Sequence, residues 1–437
     1  DNTSPATYAG VISGTGGFTK IGSGTQILSG ANSYSGETTI NGGTLVANRV
    51  NNIDNVTTSA LGNPQNAHNI TVNNGGTLNF AQGDTFGSAV TTVASTLVIN
   101  AGGVVTNTAG NFTTLGPVAL NGGTLTTAGG AVGGYQSYSL SGSVTVGGSV
   151  ASAISVTGAG NAYNGIHLGT NTTFTVADAT NSTASDLEVS APLVNRNGSL
   201  GGAGGLTKTG AGTMTLTAAN TYTGATSVEN GKLVLGAGGS IANSSTIDVK
   251  SGATLDTASQ SGWTLATGQT LKGNGTVDVG SANIFTIANG GTLAPGASPG
   301  TLNVTGNLSF AGSSTFSVEL EPTNAPNGDL VNVTGALVID PTASLAISLF
   351  GSDAVLAEGT KFVIVDYATA WDGVSQFAGL ADGSTGSFGT LNTFMVDYDD
   401  ASLGNTAFTL TVVPEPTAAT LVGGLGAICL LRRRRNS

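Results

Sequence analysis

The sequence predicts an all-β chain wound in stacked coils, on three observations. First, a pentapeptide, Asn-Gly-Gly-Thr-Leu or its variant Ser-Gly-Ala-Thr-Leu, recurs as a turn followed by the start of a strand. Its copies are Asn41–Leu45, Asn74–Leu78, Asn121–Leu125, Ser251–Leu255 and Asn289–Leu293. Second, alternating apolar runs such as Thr96–Asn100 are frequent, and the apolar stripes typical of helices are missing before the C-terminus. Third, units that cannot bury their own apolar side become stable when stacked, so this repetition predicts a solenoid.

The composition agrees with strands and tight turns and excludes several other classes of protein. Of the 437 residues, 69 are glycine, but they lack the Gly-X-Y period of collagen. Charged residues make up 8% and apolar residues 39%, which is the reverse of the pattern that marks disorder. The only cysteine, Cys429, lies near the C-terminus, so the body of the chain offers no internal disulfide and no cysteine-based site.

The chain is acidic, with a formal net charge of −12. Four of the twelve basic residues lie beyond residue 413, as does one of the 24 acidic residues, so residues 1–413 carry eight basic and 23 acidic residues. A surface with so few positive charges binds nucleic acid poorly, and we expect no nucleic-acid partner. It is compatible with divalent cations or with neutral polymers.

Two segments, Gly16–Val46 and Gly204–Val234, align without a gap at an offset of 188 residues, as from Lys20 to Lys208. Both contain Gly-Gly-(Phe or Leu)-Thr-Lys-x-Gly-x-Gly-Thr, then Asn-x-Tyr-x-Gly-x-Thr, then (Asn or Gly)-Gly-x-Leu. The signature positions are Gly17, Lys20, Asn32, Tyr34 and Gly36 in the first copy and Gly205, Lys208, Asn220, Tyr222 and Gly224 in the second.

This unit resembles the autotransporter-associated β-strand repeat, also called the passenger-associated transport repeat, of bacterial surface proteins. Ala294–Leu308 and Gly328–Gly335 look like later rungs of the same family. The resemblance implies a right-handed parallel β-helix, which we expect over residues 1–366. It also implies a structural or adhesin-like role at the cell surface or in the biofilm matrix, with extracellular polysaccharide or other surface polymers as partners.

The repeat fades from Tyr367 onward, and aromatic residues become concentrated there. They are Trp371, Phe377, Phe388 and Phe394. An alternating run at Phe408–Val413 predicts one last strand. We interpret residues 367–413 as a β-rich cap, because the open end of a solenoid exposes strand edges and core.

Residues 414–437 differ sharply from the rest of the chain. Pro414, Glu415 and Pro416 precede Thr417–Leu431, which are uncharged and mostly apolar, and the basic tail Arg432, Arg433, Arg434 and Arg435 follows. A fifteen-residue helix spans about 22 Å, short of the ~30 Å hydrocarbon core of a bilayer. The arginines predict a cytoplasmic tail, with residues 1–413 outside.

The order of these three parts resembles the PEP-CTERM sorting signal. The resemblance implies recognition by an exosortase-type processing enzyme, transient anchoring in the inner membrane through a short hydrophobic helix, and cleavage near Val413–Glu415. A permanent membrane anchor carrying a plain spacer is the alternative. The chain begins at Asp1 without methionine or a visible secretory signal, so we expect a mature form or a fragment.

A β-helical enzyme acting on extracellular polysaccharide is the other alternative, but the sequence gives it little support. His68 and His167 lack the spacing of a catalytic triad, and we expect both to be surface or turn residues. The matching positions of Lys20 and Lys208 indicate a role in the repeat and not in catalysis. Those of Tyr34 and Tyr222 indicate packing between coils and not stacking on sugars. We therefore predict no catalytic residues. A groove in which three carboxylates, or a carboxylate and a lysine, converge would favour the enzyme.

One acidic cluster, Asp397, Asp399 and Asp400, lies in the C-terminal region near Asp366 and Asp382. Closely spaced carboxylates are the oxygen ligands that calcium prefers, which makes this cluster a calcium candidate. The spacing matches neither an EF-hand loop nor a Gly-rich calcium roll, and we favour a solvated acidic turn. No other metal or cofactor is expected.

Overall fold

A computed structural model of the chain describes residues 4–49, 57–86, 93–109, 113–127, 137–157, 165–196, 202–296, 299–322, 327–389, 391–402 and 404–414. Within these ranges the regular elements are all β-strands, which form four sheets. This agrees with the all-β class that the alternating sequence pattern predicts.

The strands are numbered in chain order. They begin with β1 Ala6–Tyr8, β2 Phe18–Lys20, β3 Thr25–Leu28, β4 Thr38–Ile40, β5 Gly43–Ala47, β6 Asn69–Val72, β7 Gly76–Phe80, β8 Thr96–Asn100, β9 Val104–Asn107, β10 Thr113–Leu115, β11 Val118–Asn121, β12 Thr124–Thr127, β13 Tyr138–Leu140, β14 Val144–Val146, β15 Ser152–Val156, β16 Ile166–Leu168, β17 Thr172–Val176, β18 Leu187–Val189, β19 Leu193–Asn195 and β20 Leu206–Thr209. They continue with β21 Thr213–Leu216, β22 Thr226–Val228, β23 Lys232–Leu235, β24 Thr246–Val249, β25 Thr254–Asp256, β26 Trp263–Leu265, β27 Thr270–Gly273, β28 Thr276–Asp278, β29 Ile284–Ile287, β30 Thr292–Pro295, β31 Thr301–Thr305, β32 Asn307–Phe310, β33 Thr315–Glu321, β34 Asn327–Gly328, β35 Leu330–Val333, β36 Leu337–Ile339, β37 Ser344–Leu349, β38 Lys361–Tyr367, β39 Thr385–Phe388, β40 Asn392–Asp400 and β41 Thr406–Val413.

Successive coils contribute one strand each to two long sheets. Sheet A has 18 strands, and its pairing runs from β1 to β3, β5, β7 and onward to β38 in parallel. Sheet B has 15 strands and begins β2, β4, β6, β8. A third face is formed by sheet C, which contains β10, β13, β16 and β19, and later by sheet D, which contains β26, β29, β32 and β36. The chain is therefore a parallel β-solenoid, as predicted; its right-handed sense stays a prediction.

Inward-facing side chains of neighbouring strands stack in columns that fill the interior. One column of sheet A runs through seven coils as Leu45, Leu78, Val105, Leu125, Ile154, Val189 and Leu216. All seven side chains are completely buried. Because strand residues alternate between the two faces of a sheet, the intervening Thr, Ser and Asn side chains point outward.

The recurring pentapeptide forms the turns that the sequence predicts. Its glycines adopt positive φ at Gly43 (62°), Gly75 (74°), Gly122 (87°) and Gly290 (71°), a conformation that glycine accepts without a steric penalty. The leucines of the first three copies lie in sheet A, whereas Leu293 lies in β30 of sheet B. The pentapeptide therefore marks a turn entering a strand and does not identify one face of the solenoid.

The C-terminal end of sheet A changes from parallel to antiparallel pairing. Strand β38 pairs in parallel with β35 and antiparallel with β41, which in turn pairs with β40, and β40 with β39. Trp371 and Phe408 both stack on Tyr398, with ring centroids 5.7 and 4.6 Å away. The side chain of Phe388 lies outside the described residues. Since β38 belongs to both the coils and the antiparallel end, the division at residues 366 and 367 remains a proposal.

Candidate functional site

The matched lysines of the two copies make the same set of contacts. The Nζ of Lys20 donates to the carbonyls of Ile21, Gly22 and Gly42 at 2.9, 2.8 and 3.0 Å. The Nζ of Lys208 donates to Thr209, Gly210 and Asn230 at 3.2, 2.6 and 2.9 Å.

In each copy the first two carbonyls follow the lysine directly, and the third lies 22 residues later in the next coil. Each ammonium group therefore joins two successive coils. Such an arrangement satisfies all three donors of a lysine and leaves none for a substrate.

The matched asparagines and tyrosines also act within the scaffold. Asn32 accepts a hydrogen bond from the backbone N–H of Ile12 and donates to the carbonyl of Ala60. Asn220 accepts from the N–H of Leu193 and donates to Ser240. The amide of each asparagine thus connects neighbouring coils on both sides.

The two tyrosine hydroxyl groups are hydrogen-bonded to a threonine four residues later, Tyr34 to Thr38 at 2.7 Å and Tyr222 to Thr226 at 2.5 Å. Both rings are about 1% exposed, so neither offers a face to a sugar. Burial raises the pKa of Tyr34 to about 12 despite the bond to Thr38.

Four matched glycines allow backbones of successive coils to approach closely. A Cβ atom on Gly36 would lie 2.6 Å from the backbone of Gly16, and one on Gly224 would lie 2.4 Å from the carbonyl oxygen of Gly204. Gly17 and Gly205 are equally constrained, each with a backbone oxygen 2.4 Å from the position of a Cβ atom. Glycine is required at these positions by packing between coils.

Comparison with known protein families identifies these two segments. The family model described as the passenger-associated-transport repeat matches residues 18–47 and residues 206–235. The chain carries two passenger-associated-transport repeats. The resemblance predicted from the signature residues is thereby confirmed, and the two segments are called the first and second repeat below.

Other comparisons add little. No curated protein matches the chain. Among solved structures, the crystal structure of the Haemophilus influenzae Hap adhesin is similar to it, with 11% sequence identity and a TM-score of 0.29. The match covers 92% of this chain and 58% of the adhesin chain, so the chain spans a little over half of that protein's length. The similarity is too low to carry an argument about function.

The expectation that both histidines are surface or turn residues is wrong. His167 lies within β16 and is 1% exposed, and His68, just before β6, is 7% exposed. The Nδ1 of His68 lies 3.0 Å from the carbonyl oxygen of Asn66 and 3.2 Å from the hydroxyl of Ser95. The two rings therefore pack within different coils and do not form a shared site.

The acidic cluster is a strand, so its interpretation as a solvated turn is wrong. Asp397, Asp399 and Asp400 all lie in β40. Asp400 is buried and bonded to the Nζ of Lys361 and to the hydroxyl of Thr409. Desolvation would raise the pKa of the Asp400 carboxyl, but hydrogen bonds from Lys361 and Ser402, together with the charge of Lys361, hold it well below its usual range.

Asp382 takes the place of Asp400 in the cluster. Carboxylate oxygens of Asp382, Asp397 and Asp399 lie within 4.8 Å of one another, and Asp382 and Asp399 are exposed. Burial, with the charges of Asp399 and Asp400, raises the pKa of Asp397. The calcium candidate therefore consists of Asp382, Asp397 and Asp399, and calcium binding itself stays a prediction.

The sorting signal is described only at its first residue. Pro414 is exposed directly after β41, whereas Glu415, Pro416 and the tail Arg432–Arg435 lie outside the described residues. Within the part of the chain that the structure describes, no helix is long and apolar enough to cross a membrane. The predicted apolar helix at residues 417–431 falls outside that part.

Sequence reasoning missed a buried carboxylate that fastens a late coil. Asp329 is 2% exposed and accepts hydrogen bonds from the N–H groups of Gly300 and Glu319 at 2.9 and 2.8 Å. Burial raises its pKa to about 6 even though both bonds favour the charged form. The Gly-Asp-Leu-Val run marked this stretch as a rung, but nothing in it signalled that the carboxylate lies inside.

A ladder of outward asparagines was also missed. The Nδ2 of Asn73 donates to the Oδ1 of Asn41 at 2.7 Å, and Asn100 and Asn121 each repeat this bond to the preceding member. The ladder joins four coils along one corner. Asn73 lies next to the pentapeptide that begins at Asn74, so the repeated motif itself pointed to the neighbouring residue.

Proposed function

We propose that this chain is an exported bacterial cell-surface or extracellular-matrix protein with a structural, adhesin-like role. One observation carries the proposal: two passenger-associated-transport repeats lie within one parallel solenoid, and their signature side chains are used to join coils. With those residues committed to the scaffold, binding falls to the long outer faces. We infer a non-enzymatic protein.

The outer faces have the chemistry of a polymer-binding surface. On sheet B, Thr39 pairs with Thr71, and Thr145 pairs with Thr175. The hydroxyl groups of Thr175 and Thr209 lie 2.9 Å apart across neighbouring coils. Rows of hydroxyl groups at the spacing of about 4.8 Å between strands suit the repeated hydroxyl groups of a polysaccharide.

The proposal includes sorting and cleavage at the C-terminus by an exosortase-type enzyme, after transient anchoring in the inner membrane. The sequence order of Pro414–Pro416, the apolar segment and the arginines supports it. So does the exposure of Pro414 directly after the last cap strand, because a processing enzyme needs an accessible site.

Cell fractionation with intact-mass measurement of the native protein tests this proposal. We expect the protein in the surface or extracellular fraction, with its C-terminus between Val413 and Glu415. A variant with Pro414, Glu415 and Pro416 all changed to alanine should keep its tail and stay with the inner membrane. A mature wild-type C-terminus at Arg435 or beyond would contradict processing and favour the anchored spacer.

A polysaccharide-degrading enzyme is favoured by a single observation, the convergence of Asp382, Asp397 and Asp399. One oxygen of each lies within 4.8 Å of the others, and none of the three residues is buried. Because the proposed function is non-enzymatic, we expect no release of reducing ends or unsaturated products from acidic or neutral polysaccharides. Cleavage that is lost in Asp397→Asn would establish the enzyme instead.

A further inference from the structure

One corner of the solenoid holds a groove around an arginine. Ser139 pairs with His167, and Leu168 pairs with Asn195, so Ser141, Gly169 and Arg196 follow the same strand position in three successive coils. The groove has a volume of about 340 Å³ and is lined by Leu140–Ser143, Gly169–Thr173 and Arg196. We call it the corner groove.

Arg196 reaches back across the middle coil of the three. Its Nη2 donates to the carbonyl oxygen of Leu140, 56 residues earlier, at 2.5 Å. Gly169 occupies the coil between them, and a Cβ atom there would meet nothing closer than 3.8 Å. The glycine therefore leaves open the space that a side chain would fill, and the guanidinium group lines that space.

The hydrogen-bonding capacity of Arg196 is largely unused by the described residues. A guanidinium group has five N–H donors, and the bond to Leu140 uses one of them. Its Nε is buried and has no hydrogen-bond partner there. Burial also lowers the pKa of Arg196, yet a guanidinium group stays charged at neutral pH.

The corner groove is an island of positive charge on an acidic chain. The described residues that line it include no carboxylate. Between residues 101 and 201 the sequence contains only three acidic residues, Asp178, Asp186 and Glu188. Asp186 is buried and accepts hydrogen bonds from Thr180 and Thr213, while Glu188 pairs with Thr215 on sheet A.

Arg196 is the one charged residue among the described residues that line the groove.

The rest of the lining suits a saccharide. Ser141, Ser143 and Thr170 are exposed and add hydroxyl groups to the lining; the Ser141 hydroxyl donates to the carbonyl of Leu115 at 2.7 Å and keeps its capacity to accept. Gly169 leaves room for a ring to approach the backbone, whereas the corresponding space at Gly142 is filled by the backbone of Gly116 and Pro117. A guanidinium group binds a carboxylate through two parallel hydrogen bonds, and hydroxyl groups exchange hydrogen bonds with those of a sugar.

We propose that the corner groove binds one uronate unit of an acidic polysaccharide, with Arg196 holding its carboxylate. This rests on the proposed function, since it names the class of polymer that the surface protein would hold. A single groove of this kind gives weak binding, about millimolar for a short oligosaccharide. A long polymer bound by many copies on a cell surface would gain from multivalency.

Titration of the purified full chain with tri-galacturonate, by calorimetry or NMR, tests the proposal. We expect saturable binding to the wild type and none to maltotriose, which is neutral. Arg196→Gln should weaken binding by at least about tenfold, the loss expected for a charged bidentate contact. Gly169→Leu should weaken it similarly, because it fills the groove while leaving the arginine and the net charge unchanged.

Lys232→Gln is the matched control. Lys232 is half-exposed on sheet A in an ion pair with Asp256, so its substitution changes the net charge as Arg196→Gln does, away from the groove. We expect its affinity to stay within about twofold of the wild type. Circular dichroism and thermal unfolding establish that each variant is folded, and binding data are compared only among folded variants.

Three results would overturn the proposal. They are undiminished tri-galacturonate binding by Gly169→Leu and Arg196→Gln, no saturable binding by the wild type, and equal affinity for inorganic sulfate, which would make the groove a simple anion site. None of these three results would contradict the proposed surface role, because cell fractionation tests surface localisation separately. Conversely, if the protein binds tri-galacturonate but is found inside the cell, the groove proposal stands and the proposed surface function is wrong.

Discussion

The two repeats share their signature residues, with 16 of 31 positions identical between Gly16–Val46 and Gly204–Val234, but they have different neighbours. In the second repeat, β20 lies between β17 and β22, whereas in the first, β2 pairs only with β4 in the described residues. The matched apolar side chains differ accordingly, since Leu206 is completely buried and Phe18 only partly. Lys208 is completely buried and Lys20 is 8% exposed.

This difference separates what the repeat encodes from what the stack supplies. Both lysines make three bonds to carbonyls, so those contacts are encoded in the repeat itself. The degree of burial depends on the coil above, which the repeat does not encode. In a solenoid, stability is the sum of each unit and its interfaces with neighbours, so equal substitutions should have unequal effects in the two repeats.

The largest difference is expected for the lysines. Lys208→Met removes a completely buried ammonium group that donates to the half-exposed Thr209 and Gly210, and it should lower the free energy of unfolding by about 3 kcal/mol. In Lys20→Met the matching carbonyls belong to Ile21 and Gly22, which are exposed and regain hydrogen bonds from water, so we expect about 1 kcal/mol or less. Urea denaturation of both variants measures the difference, and equal losses would contradict it.

The matched glycines should differ next. Gly224→Ala places a Cβ atom against Gly204, which is itself enclosed by Leu168 and Asn195, and we expect a loss of about 2–3 kcal/mol.

Gly36→Ala meets Gly16, which has open space on its far side and can shift, so a loss of about 1 kcal/mol is expected there. Thermal unfolding checks this pair. A larger loss for Gly36→Ala would show that the first repeat is at least as rigid as the second.

The pH dependence of stability should distinguish Lys208. Burial lowers its pKa to about 8, although the charge of Asp186 opposes this shift. The unfolded chain, with a lysine pKa of about 10.4, then binds more protons between these values, so the free energy of unfolding rises with pH over that window.

The contribution of Lys208 is at most about 1.4 kcal/mol per pH unit. Urea titrations from pH 8 to 9.5 should therefore give a steeper rise for the wild type than for Lys208→Met. The tyrosines are common to both proteins and cancel in this comparison. Parallel slopes would mean that Lys208 titrates like an exposed lysine.

The smallest difference is expected for the tyrosines. Tyr222→Phe removes a hydroxyl group bonded to Thr226, which is itself bonded to Ser244, and should lower stability by about 1 kcal/mol. Tyr34→Phe removes the matching bond to Thr38, whose hydroxyl has no further bond to a side chain among the described residues, and we expect a few tenths of a kcal/mol less. Denaturation midpoints of the two variants measure both losses, and a larger loss for Tyr34→Phe would contradict the ranking.

The sequence was sufficient for the architecture because turn residues and alternation are local properties. They predicted the solenoid, the two repeats and the positive-φ glycines such as Gly43 and Gly75. They did not predict the burial of His167, which depends on how sheet C closes the coil, or the reach of Arg196 to Leu140. That contact needs the register between coils, and coil length varies from 19 residues between Thr25 and Thr44 to 35 between Ser152 and Leu187.

The prediction of a solvated turn at the acidic cluster was wrong for a related reason. The short spacing of Asp397, Asp399 and Asp400 indicated a turn, but antiparallel pairing with β41 extends that stretch as a strand. Alternation then places Asp400 beside Lys361, and a separate loop brings Asp382 to the other two carboxylates. Pairing between distant strands decided the site, and no local pattern contains that information.

Hydrogen exchange of the backbone amides in Phe18–Lys20 and Leu206–Thr209 tests the central claim most directly. The claim is that the repeat supplies the same contacts in both places, while the stack decides how firmly they hold. We predict exchange at least about a hundredfold slower in Leu206–Thr209, because opening there disrupts two interfaces between coils and not one. Equal protection of the two segments would contradict the account.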